Sequence, residues 1–143
     1  MSPFSEVRAS ISLPDKRDFP KVLKTIGDHL RQARLLRKML IKDVATILGV
    51  GPGSLHEWEH NKWEPYARKY PQILAFLGYY PFEVETLGGR IRKYRYVHGL
   101  THQEFGKLVG AAGCTISTWE RNKIAPRYEG MLQKISTLVK TVV

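Results

Sequence analysis

The sequence predicts an all-α protein of two tandem helical units, and three observations carry that expectation. The first is a repeat. Displaced by 61 positions, the chain superposes Pro20 on Pro81, Thr25 on Thr86, Gly27 on Gly88, Arg31 on Arg92, Arg34 on Arg95 and Gly49 on Gly110. Further on it superposes Trp58-Glu59 on Trp119-Glu120, Asn61-Lys62 on Asn122-Lys123, Pro65 on Pro126 and Gln72 on Gln133. These are 12 identities over 53 aligned positions, where unrelated segments of ordinary composition match at about 3. The second observation is apolar spacing of three and four residues in both copies, with no stretch that calls for a strand. The third is a glycine at the end of one short helical segment in each copy, Gly49 or Gly110, where a helix C-terminus needs positive φ.

The repeat divides the chain into a tail over 1–19, a first unit over 20–80 and a second over 81–143. Pro/aromatic joints at Asp18-Phe19-Pro20 and Tyr79-Tyr80-Pro81 open the two units. In the first, Thr25 reads as an N-cap with Asp28 three residues on, and Ile26, Leu30, Ala33 and Arg34 follow at helical spacing. Thr86 opens the equivalent helix, with Leu87, Ile91 and Tyr94. A short helix comes next, Ile41 to Leu48 or His102 to Val109, and after the glycine a third, Pro52 to His60 or Gly113 to Arg121. Proline is tolerated in that first turn because its missing N–H has no helical partner there. Periodic apolar residues, Ile73 to Leu77 and Leu132 to Leu138, close each unit with a final helix.

Composition limits the function classes. With 23 Lys+Arg against 13 Asp+Glu the net charge is +10. The excess sits late in the chain: 0 over 1–20, +3 over 21–85 and +7 over 86–143. Such a field suits a polyanionic partner, since neutralising phosphates releases counterions. No uncharged run approaches the roughly 18 residues of a membrane span, and no membrane partner is expected. The first residues hold no uninterrupted apolar segment of the secretory kind. One cysteine, Cys114, excludes an intrachain disulfide framework and places the protein in a reducing cytoplasm.

The second and third helices carry the chemistry. Counting from Ile41 or His102, apolar sites fall at four, eight, ten, fifteen and eighteen: Val44, Leu48, Val50, Leu55 and Trp58, then Phe105, Val109, Ala111, Ile116 and Trp119. Site five is small, Ala45 or Gly106. Two helices crossing at a tight turn need that pattern, and the intervening positions of the third helix then face outward, free to enter a major groove.

On these residues both copies resemble the five-helix helix-turn-helix domain of the Cro and lambda-repressor class, the xenobiotic-response-element-like regulators. The marks are Gly27-Asp28-His29-Leu30-Arg31 and Gly88-Gly89-Arg90-Ile91-Arg92, then Lys42-Asp43-Val44-Ala45 and Gln103-Glu104-Phe105-Gly106, then Trp58-Glu59 and Trp119-Glu120. Phe76 to Phe82 looks like the linker of regulators that hold two such domains. In similar repressors an arginine and a glutamate 25 residues apart bridge the first helix to the third, which implies the pairs Arg34–Glu59 and Arg95–Glu120.

The resemblance implies double-stranded DNA as the partner. In the second unit Gly113, Cys114, Thr115, Ser117 and Thr118 would face base edges. Thr101, His102 and Gln103 at the start of the second helix, and Arg121, Asn122 and Lys123 after the third, would sit at phosphates. The first unit departs from the pattern. Leu40 replaces the capping Thr101, Ile41 stands at a phosphate position, and the outer face carries Gly51, Pro52, Gly53, Ser54, His56 and Glu57, flanked by Lys42 and Lys62. A glutamate can accept from cytosine N4 but repels phosphate, so unequal reading by the two units is expected.

One stretch offers a rival chemistry. His56-Glu57-Trp58-Glu59-His60 matches H-E-x-x-H, in which two histidines bind zinc and the glutamate is a general base. The second copy reads Ser117-Thr118-Trp119-Glu120-Arg121, so Trp-Glu belongs to the repeat, and only the histidines and Glu57 are particular to this copy. The sequence therefore predicts no metal, no cofactor and no catalytic residue. Its expected role is a DNA-binding transcriptional regulator, a repressor of the autoregulatory phage, prophage or toxin–antitoxin kind, compatible with homodimers. The rivals are a protein-interaction module and, remotely, the zinc protease.

Overall fold

The computed structural model describes residues 18–140. Among these the protein is all-α: α1 Ile26–Leu36, α2 Ile41–Leu48, α3 Pro52–Glu59, α4 Tyr70–Leu77, α5 Leu87–His98, α6 His102–Val109, α7 Gly113–Glu120 and α8 Glu129–Val139, with a 3₁₀ turn at Ala67–Lys69 leading into α4. Each repeat thus shows four α-helices among the described residues, where the resemblance implied five. The division between compact units falls between Glu64 and Pro65. That is ahead of the Tyr79-Tyr80-Pro81 joint, so α4, the last helix of the first repeat copy, packs on α5 within the second unit. Tyr70 stacks on Tyr96 there, with ring centroids 3.8 Å apart.

In the first unit α1 begins at a capping box. The Asp28 amide donates to the Thr25 hydroxyl (3.0 Å) and the Thr25 amide to the Asp28 carboxylate (3.2 Å), which satisfies two orphan N–H groups of the first turn. Burial alone would raise the Asp28 carboxyl, but hydrogen bonds from Asn61 and from the Lys24 and Thr25 amides outweigh it and hold it below its ordinary value. Just past the end of α1, Lys38 takes φ 55°, a left-handed position held by Gly99 in the second copy with φ 66°. α2 stops at Gly49 with φ 70°, and α3 starts at Pro52. Leu30, Val44, Leu48 and Leu55 fill the interior, and Val50 is half-buried.

The second unit repeats the plan. Thr86 caps α5, Thr101 caps α6, and Gly110 ends α6 with φ 81°. Its core is Ile91, Phe105, Val109, Ile116, Trp119, Ile135 and Val139. The small residue at site five has a visible cause, because a Cβ on Gly106 would run into the carbonyl oxygen of Ala111. Close crossing of α6 and α7 depends on it. Gly27 and Gly88 play a similar part, each lying where a Cβ would strike the backbone at the end of the third helix of its repeat. Among the described residues no helix is long and apolar enough to cross a membrane.

Candidate functional site

Both arginine–glutamate pairs form, with the same geometry. Arg34 donates through Nε (2.8 Å) and Nη2 (2.9 Å) to Glu59, and through Nη1 to the Met39 carbonyl at 3.1 Å. Arg95 donates to Glu120 at 2.6 and 3.0 Å and to the Leu100 carbonyl at 3.1 Å. Each fork therefore ties the first helix of its repeat to the end of the third and to the chain entering the second. Burial pushes the Glu120 carboxyl up, but the hydrogen bonds from His102 and Arg95 outweigh it and hold it below the ordinary carboxylate value. Such a pair fixes orientation more than it adds stability.

The outer face of α7 carries the residues marked for base contact. Cys114 is exposed, and Gly113, Thr115, Ser117 and Thr118 are half-exposed. Nothing larger than hydroxyl-bearing side chains and one thiol stands on this face, so backbone can approach a partner closely. Thr118 Oγ1 donates to the Cys114 carbonyl at 3.0 Å, which leaves the hydroxyl oxygen as an acceptor outward. At Gly113 a Cβ would press on the Gln103 backbone, 3.1 Å from its nitrogen, so the start of α7 lies against the start of α6. The N-caps of α3 and α7, Gly51 and Ala112, make no side-chain hydrogen bond.

The residues marked for phosphate differ in what they already hold. Thr101 accepts from the Glu104 amide (3.1 Å) and its own amide donates to the Glu104 carboxylate (2.9 Å), a capping box that fixes the start of α6. His102 Nε2 lies 3.4 Å from Glu120 Oε1, and Arg92 Nε lies 3.8 Å from the same oxygen. Gln103, Arg121 and Lys123 are exposed; Arg121 Nε reaches the Ser117 carbonyl at 3.4 Å. Asn122 has an internal role. Its Oδ1 accepts from the Gly88 amide and its Nδ2 donates to the Thr86 hydroxyl, both at 3.1 Å. Asn61 does the same for α1, accepting from Thr25 Oγ1 (2.6 Å) and donating to Asp28 (3.0 Å). Both asparagines sit at left-handed φ, 59° and 56°, which this residue type tolerates. Their place among the repeat identities was the sequence signal for this lock.

The first unit presents a different face. Lys42, Gly53, Ser54, His56 and Lys62 are exposed. Leu40 supplies no side-chain cap, and its amide is satisfied by Asp43 at 3.0 Å. Glu57 is not freely solvated. Its Oε2 is enclosed without a hydrogen bond and has the Lys62 ammonium 3.8 Å away. The His56 and His60 rings stack at 4.1 Å, and His60 Nδ1 lies 2.9 Å from the His56 carbonyl. Glu59 of the H-E-x-x-H stretch is committed to Arg34. Among the described residues no three His, Cys, Asp or Glu side chains are grouped to hold a metal ion.

One cluster has no counterpart among the motifs of the sequence. Arg68, on the 3₁₀ turn before α4, forks onto Glu104, with Nη1 3.0 Å from Oε1 and Nη2 2.5 Å from Oε2, and donates also to the Gly99 carbonyl. Hydrogen bonds from Arg68, with those of the capping box, pull the Glu104 carboxyl down to about 2. No family model, curated protein or solved structure matches the chain.

Proposed function

We propose that this protein is a sequence-specific binder of double-stranded DNA that regulates transcription, built of two tandem helix-turn-helix domains of the Cro and lambda-repressor type and acting as a repressor. The observation that carries the reading is the outer face of α7: small neutral side chains bearing hydroxyls, bounded by exposed Arg121 and Lys123, in the part of the chain that carries +7 of the +10 net charge. In this reading α7 lies in the major groove, where Thr115 and Ser117 donate to or accept from base edges and Thr118, its proton held by the Cys114 carbonyl, accepts. The amides at the start of α6, with Gln103 and Lys123, hold phosphates and set the register. Arg95–Glu120 and the Asn122 lock keep the two helices at a fixed angle, so the reading residues are pre-organised.

The first unit contributes mainly phosphate contacts through Lys42 and Lys62, because Glu57 places a carboxylate at the position of Thr118. Repression follows from occupancy of a promoter, and control of the protein's own operon is the simplest circuit. The test is a titration of labelled duplex DNA from upstream of its own gene across a range of salt. Affinity falls with a log–log slope of about 0.9 per phosphate contact. A response flat in salt overturns the reading and favours a protein-interaction module.

A further inference from the structure

We propose that Arg68 masks the charge of Glu104 at the end of α6 that phosphate approaches, and so acts as a positioning residue for DNA; the inference rests on the DNA-binding reading above. Glu104 is required locally and unwelcome electrostatically. As the third residue of α6 it folds back to accept the Thr101 amide at 2.9 Å, which completes the capping box. The same fold-back sets a carboxylate beside the free amides of the first turn, where an anionic partner would otherwise find only positive potential. With its carboxyl held down to about 2, Glu104 carries a full negative charge at any physiological pH.

Arg68 answers that charge with a two-pronged fork, the arrangement in which guanidinium and carboxylate bind best. It faces outward: its side chain is 61% exposed against 33% for Glu104, so the outermost charge at this corner is positive. The fork also has a fixed base. Tyr70, two residues on, is buried and stacked on Tyr96, Pro71 lies against Gly99, and Arg68 donates to the Gly99 carbonyl. The segment before the second repeat is thus anchored at the α5–α6 corner, and its arginine converts an acidic helix start into one that accepts phosphate.

Four proteins decide the matter: wild type, Arg68→Ala, Arg68→Lys and the double variant Arg68→Ala/Glu104→Gln. Each is titrated against one fluorescein-labelled mixed-sequence duplex at low and high salt, with thermal unfolding by circular dichroism in parallel. Glutamine retains the capping box, so the double variant removes the charge and keeps the helix start. Arg68→Ala binds about five- to tenfold more weakly at ~0.1 M salt, and the deficit closes near ~1 M, as one unmasked charge requires. Arg68→Lys and the double variant bind within about twofold of wild type, because charge balance at the corner is kept. If Arg68→Ala does not fold, the lysine and double variants still decide. A double variant as weak as Arg68→Ala, a lysine variant about tenfold weaker than wild type, or no deficit in Arg68→Ala overturns the masking role. Absence of duplex binding by wild type overturns the DNA reading itself.

Discussion

Replacing Arg95 with methionine separates an orienting ion pair from a stabilising one. In the wild type the Glu120 side chain is 3% exposed and that of Arg95 8%, so deleting the guanidinium strands a carboxylate in the interior of the second unit. Removing one partner of a buried pair costs about 3–5 kcal/mol. His102 at 3.4 Å and Arg92 at 3.8 Å remain beside Glu120, which places the loss at the lower end, about 3 kcal/mol. Against a total of about 4–12 kcal/mol for a unit of this size, that is a large fraction. Because the wild-type pair lowers the Glu120 carboxyl, its contribution is present above the unfolded carboxyl value and lost as pH falls through the lower folded one. The methionine variant accordingly loses less than wild type on acidification. The assay is urea unfolding followed by far-UV circular dichroism, fitted as two transitions because the chain has two compact units. Arg95→Met shifts one transition and Arg34→Met the other. The double variant Arg95→Met/Glu120→Leu recovers most of the loss, since a packed apolar pair replaces a buried charged one. A loss below about 1 kcal/mol for Arg95→Met, the size of an exposed ion pair, or a double variant no better than the single, refutes the argument.

Replacing Thr115 and Thr118 together with alanine costs about 1–3 kcal/mol for each base edge no longer read and flattens preference between a specific and a scrambled duplex. In the same titration Lys123→Ala weakens both duplexes alike, while Glu57→Ala raises nonspecific affinity by removing a repelling carboxylate; loss of specific binding in Glu57→Ala alone assigns base reading to the first unit. Lys38→Gly relieves a left-handed non-glycine residue, φ 55°, and raises stability by about 0.5–1 kcal/mol in thermal unfolding; a lower melting temperature contradicts the strain. His56→Ala/His60→Ala leaves the circular dichroism spectrum and melting unchanged, and elemental analysis of wild type returns no stoichiometric zinc; one zinc per chain revives the protease alternative.

The helices, and the ends set by caps and glycines, were legible in the sequence because the physics that sets them is local, whereas the last helix of each copy starts at Tyr70 or Glu129, ahead of the apolar pattern at Ile73 or Leu132. Thr25 with Asp28, and Thr101 with Glu104, close their capping boxes within three residues, and Gly49 and Gly110 stop helices by their own backbone freedom. α2 and α6 run over the residues that the apolar pattern marks, and the pairs Arg34–Glu59 and Arg95–Glu120 were what the resemblance to the repressor class implied, at a spacing that both copies share. Other features depended on partners that no pattern within one helix reveals. Asn122 reaches Thr86 across 36 residues, Arg68 reaches Glu104 across 36, and α4 packs on α5 although the repeat counts it with the first copy. A polar side chain in sequence shows what it can donate or accept, and only the packing of distant elements determines whether that capacity is spent inside the fold, as at Asn122, or stays at the surface, as at Lys123.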